Sequence, residues 1–108
     1  MEIYSLGKIA PTTPGTPVQL TTDDTIKVQA VYASQIGGTT GRVLLGRVGL
    51  NKTTLAGCIK PFLPPAASGF LDSFEVAAED RSNCIQLSKY CVDADVANEG
   101  LVISYVVA

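Results

Sequence analysis

"IKVQAVYA", residues 26–33, is the stretch on which the fold turns. Ile26, Val28, Ala30 and Tyr32 recur at every second position, with Lys27, Gln29 and Val31 between them. In an extended chain successive side chains point to opposite faces, so the first set would share one face and the second set the other. An amphipathic helix would need apolar residues three and four apart, and no such period lasts eleven residues anywhere in the chain. The segment reads as a half-buried β-strand.

The same pattern extends outward from it. "PVQLT" (17–21) places Val18 and Leu20 on a common face, and "GRVLLGRVGL" (41–50) carries aliphatic residues bracketed by glycine. "SFEVA" (73–77) offers Phe74 and Val76, and "CIQL" (84–87) offers Ile85 and Leu87. The closing "LVISYVVA" (101–108) is apolar on both faces, with Leu101, Ile103, Tyr105 and Val107 in one row and Val102, Ser104 and Val106 in the other. Such a strand belongs in the middle of a sheet or beneath a cover. Turn signals separate these segments: Pro-Gly at 14–15, Gly-Gly at 37–38, Asn-Lys at 51–52, Pro-Pro at 64–65, Ser-Asn at 82–83 and Glu-Gly at 99–100. The expectation is an all-β, single-domain β-sandwich spanning residues 1–108, with seven or eight short antiparallel strands and jelly-roll connections as one way of joining them.

Composition agrees with one modest core. The chain has 108 residues, 46% of them apolar and only 6% aromatic, and a chain of this length buries roughly 60–68% of its unfolded surface. Its net charge of −2 and scattered Lys and Arg residues offer no field for a phosphate backbone, so nucleic acid is not an expected partner. "MEIYSLGKIAP" at the start lacks the basic and uninterrupted apolar segments of a leader, and no run approaches the length of a membrane-spanning helix. Cys58, Cys84 and Cys91 are odd in number and form no C-x-x-C pair. They are read as reduced, buried thiols, with a Cys84–Cys91 bridge as the alternative.

Chemistry is hard to assemble from these residues. Without histidine the usual base for a nucleophile is missing. Asp23–Asp24 and Glu79–Asp80 lie in turn-like contexts where acids bond to nearby backbone amides. "VDADVANEG" (92–100) has the spaced acids of a calcium loop, but Asn98 and Ser104 stand where glycine and glutamate are required. "GGTTG" (37–41) lacks the Lys-Ser/Thr of a phosphate-binding loop and precedes no helix. No catalytic residue, cofactor or metal ligand is assigned.

Two segments suggest contact with a partner. The proline- and threonine-rich residues 10–17 read as an extended segment, either a surface connector or an arm lying along a neighbouring subunit through Pro11, Thr12, Thr13 and Pro14. Phe62, Leu63, Phe70 and Leu71 flank the stiff "PP" turn, where they either cap the core or form an exposed binding patch.

The order of pieces resembles small accessory or decoration (cement-like) virion proteins of tailed bacteriophages. The likeness runs through "GTPVQL" (15–20), "IKVQAVYAS" (26–34), "GRVLLGRVGL" (41–50), "FLPP" (62–65) and "NCIQLSKYCVDADVANEGLVISYVV" (83–107). Pro65 and Ala66 stand where that family's pattern usually has glycine. The resemblance implies a non-enzymatic structural protein, made in the host bacterial cytoplasm and carried on the capsid exterior. Its partner would be the major capsid protein, and it would bind as a homo-oligomer with a trimer favoured. A tail or baseplate ring, connector or fibre module is the alternative, and a carbohydrate-binding adhesin a third reading that the absence of tryptophan disfavours.

Overall fold

A computed structural model of the chain describes residues 3–65, 71–78 and 84–107. The strands are β1 (Ile3–Ile9), β2 (Val18–Gln19), β3 (Lys27–Gln35), β4 (Val43–Arg47), β5 (Cys58–Phe62), β6 (Ser73–Ala77), β7 (Ile85–Gln86), β8 (Tyr90–Ala94) and β9 (Leu101–Val107). A 3-10 turn, Leu87–Lys89, separates β7 from β8. Among the described residues no helix is long and apolar enough to cross a membrane.

All pairings are antiparallel, and they are nested. β1 pairs with β9, β2 with β8, β3 with β6 and β7, and β4 with β5. A long hairpin rolled over on itself has this order, and the result is two facing sheets, β1-β9-β3-β6 (with β7 beside β3) and β2-β8-β4-β5. The protein is a β-sandwich of jelly-roll topology. β9 lies between β1 and β3, as its two apolar faces require.

The core fills the space between the sheets. Val28, Val31, Ala33, Leu101 and Ile103 from one sheet meet Val43, Leu45, Phe62, Val92 and Ala94 from the other. β3 departs here from simple alternation. Against β9 its register advances from Val28–Val107 to Ala30–Val106, so Gln29 is one residue too many and forms a bulge. Beyond the bulge the faces exchange: Val31 and Ala33 enter the core, while Tyr32 lies on the outer face opposite Glu75. The single row Ile26, Val28, Ala30 and Tyr32 is therefore broken after Val28, because one inserted residue inverts the side-chain phase of everything after it.

The second sheet is covered on its outer face as well. β4 stops at Arg47, and Gly49 at φ 96° turns the chain so that Leu50 packs back over Leu44 and Cys91. Gly46 makes this possible, since a Cβ there would meet Gly57 O at 2.7 Å and Leu50 Cδ1 at 2.8 Å.

Candidate functional site

The nested pairing gathers four connections at one end of the sandwich. Residues 10–17 join β1 to β2, 95–100 join β8 to β9, 36–42 join β3 to β4, and 63–72 join β5 to β6. Each carries the chain from one sheet to the other. Ile9, Leu101 and Gln35 are aligned across the first sheet, and Val43 is aligned with Ala94 and Phe62 in the second. Both segments singled out in the sequence thus arrive at the same end, at opposite edges of it.

Residues 10–17 do not form an extended arm. They are a run of bends closed by the Thr16 N–H to Thr13 O bond (3.1 Å). Pro11 is buried, and its carbonyl accepts the Asn98 N–H at 2.8 Å. Gly15, at φ 90°, donates its N–H to Asp93 Oδ1 at 3.0 Å. Prolines stiffen the chain, but the buried carboxylate supplies an acceptor that draws it onto the body. Pro11 is buried against the protein's own body and does not face a partner, Pro14 is half-buried, and Thr12 and Thr13 stay exposed.

The acids of residues 93–99 are held within the fold. Asp93 is buried, and its Oδ1 also accepts the Ala94 N–H at 2.8 Å, while Oδ2 has no hydrogen-bond partner among the described residues. Asp95 pairs with Arg42 at 2.8 Å and Lys52 at 3.4 Å, and the Arg42 hydrogen bond holds its carboxyl below the usual range. Glu99 accepts the Gly41 N–H at 2.9 Å together with the Thr40 N–H and hydroxyl at 2.9–3.0 Å. These donors, Gly41 first, lower its pKa. The glycine-rich 37–41 segment does present amides to an anion, and that anion is the protein's own Glu99. Among the described residues no group of three or more metal-ligating side chains comes together.

The 63–72 segment divides the predicted apolar patch. Phe62 is 1% exposed and belongs to the core, so its side chain faces inward and not toward a partner. The alternation of β5 puts the next residue on the opposite side: Leu63 is 65% exposed, and Leu71 is 51% exposed at the other stem. Phe70 lies outside the described residues. Both stems are tied to Gln35, whose side-chain amide donates to Leu63 O and whose Oε1 accepts the Asp72 N–H at 2.9 Å. Lys60 adds an ion pair to Asp72 at 3.0 Å. Gln35 was not singled out in the sequence. Its only signal there is a polar residue closing an apolar strand.

None of the three cysteines is in a disulfide, which removes the alternative Cys84–Cys91 bridge. Cys91 is buried, with its thiol against Arg47 O at 3.1 Å, and burial pushes its pKa up, as it does for Cys58. Comparison with protein families, with curated proteins and with solved structures finds no match to this chain.

Proposed function

We propose that the protein is a non-enzymatic structural component of a virus particle that binds the outer face of the capsid and reinforces or decorates the shell. The observation that carries this reading is the Gln35 clamp, which holds both stems of the 63–72 segment while Leu63 and Leu71 stand in solvent. Exposed leucines on a fixed base lose little conformational entropy when covered, so their burial against a partner is retained as affinity. Thr12 and Thr13 at the other edge of the same end supply a polar rim.

A small subunit bridging two shell proteins needs about 800 Å² of contact with each. Binding only the assembled lattice then stabilises it through linked equilibria, and trimerisation on a symmetry axis would add avidity. The test is to count this chain in purified particles and in shells lacking tails. Copy numbers that scale with the shell protein and persist without tails support the reading. A small fixed number lost with the tail points to a tail connector instead. A Leu63→Asp, Leu71→Asp double variant should fold normally yet fail to decorate stripped shells, and shells carrying the wild-type chain should melt at a higher temperature than bare ones.

A further inference from the structure

The opposite end of the sandwich carries a different kind of surface. There the 3-10 turn Leu87–Lys89 takes the chain from β7, in the first sheet, to β8, in the second. This crossing brings together cations from three places. Lys27 comes from the start of β3, opposite Gln86; Arg47 comes from the end of β4, opposite Tyr90; Lys89 sits on the crossing itself. They line two adjoining clefts that share Arg47, Gln86 and Lys89, the larger about 520 Å³.

Charge pairing makes this grouping informative. Among the described residues Arg42 and Lys52 pair with Asp95, Lys60 pairs with Asp72, and Lys8 acts on Glu99. Lys27, Arg47 and Lys89 have no ion-pair partner among the described residues, and all are exposed. In a chain of net charge −2, the described cations without a carboxylate partner converge on one place. Asp24 is the sole acid among the described lining residues, at the rim of the smaller cleft.

The floor is held in position. Buried Ser88 receives Gln19 Nε2 on its carbonyl at 2.8 Å, Gln86 Nε2 reaches Asp24 O at 3.0 Å, and the Val48 N–H bonds Lys89 O at 2.9 Å. The Arg47 guanidinium rests over the Tyr90 ring, 6.0 Å from its centroid. A guanidinium on an aromatic face keeps its in-plane N–H donors for a bidentate oxyanion, and two flanking ammonium groups add charge without demanding a fixed geometry.

We propose that this cleft is a binding site for a multivalent oxyanion, a ligand presenting two or more phosphate or carboxylate groups to Lys27, Arg47 and Lys89. The site is independent of the four-loop end and of any role there.

The experiment is a titration of the full chain with sodium pyrophosphate and, separately, with sodium citrate. Both are run at low ionic strength against sodium chloride of matched ionic strength, and read by calorimetry and amide NMR. Saturable binding at about 1 mM or tighter is expected, with shifts centred on residues 24–27, 47–48 and 84–90. Lys27→Gln, Arg47→Gln and Lys89→Gln should each weaken it about tenfold, whereas Lys60→Gln at the other end should leave it unchanged. A response to pyrophosphate alone assigns phosphate ligands, and a response to citrate alone assigns carboxylates. Binding no stronger than the chloride control, shifts centred elsewhere, or undiminished affinity in the Lys27→Gln, Arg47→Gln and Lys89→Gln variants overturns the proposal.

Discussion

Gln35 and Asp72 are joined twice: the Gln35 N–H donates to Asp72 O at 2.9 Å, and the Asp72 N–H donates to Gln35 Oε1 at 2.9 Å. With the side-chain bond to Leu63 O, one largely buried glutamine fixes both ends of an apolar loop. Gln35→Ala should cost about 1–3 kcal/mol, because it leaves half-buried backbone groups without partners. Urea unfolding measures the loss, and faster hydrogen exchange at the Asp72 amide locates it.

Phe62 and Leu63 are neighbours in sequence with opposite fates. Phe62→Ala opens a cavity between the sheets and should destabilise by about 3–5 kcal/mol. Leu63→Ala should change stability by no more than about 0.5 kcal/mol. Equal costs in chemical denaturation would show that both side chains are buried, and the exposed patch would be lost with them.

Gly100 sits against β1 so tightly that a Cβ would overlap Ile9 O. Backbone cannot yield as a flexible side chain can, so Gly100→Ala should cost about 1–3 kcal/mol or more. Gly37→Ala, with nothing within 4 Å of the added carbon, should remain within about 0.5 kcal/mol of wild type. The thermal midpoints of the pair test whether the 95–100 connection is packed as closely as described.

Glu99 and Asp95 both titrate lower in the folded protein than their ordinary values of 4.5 and 3.8. The unfolded chain therefore binds more protons in acid, so stability is fully present above those ordinary values and is lost as pH falls through the lower folded ones. Glu99→Gln should lower the urea midpoint near neutral pH, with the difference from wild type closing below about pH 4. A difference that stayed constant through the acid range would refute the charge-assisted latch on Thr40 and Gly41.

Cys91 is shielded by Leu44 and Leu50, and its thiol is raised in pKa by burial. Its reaction with an aromatic disulfide reagent should be far slower than that of half-buried Cys58 and should track unfolding. Rapid labelling of Cys91 in the native protein would mean that the 48–57 segment does not cover it.

Local patterns accounted for much of this architecture. Two-residue alternation in 73–77 and 101–107, with glycine and proline between segments, was enough to require strands, and the double apolar face of β9 was enough to place it inside a sheet. The candidate contacts were less legible. Alternation marks which residues share a face only while the register is unbroken, so the bulge at Gln29 could not be read, and the faces of Val31 and Tyr32 were exchanged. Prolines at 11, 14 and 17 left residues 10–17 open between a surface connector and an extended arm, since nothing nearby in sequence announces that Asp93 will accept the Gly15 amide and draw the connector onto the body.

Strand character was settled locally because backbone sterics and side-chain period act over a few residues. Long-range pairing settled everything that concerns surfaces. Rolling the hairpin brought Gln35 to Leu63 and Asp72, Asp93 to Gly15, and Glu99 to Thr40 and Gly41. The same rolling collected Lys27, Arg47 and Lys89, each unremarkable in its own segment, around one cleft. Hydrogen bonds and charge interactions depend on distance in space, and only the closed sandwich sets those distances.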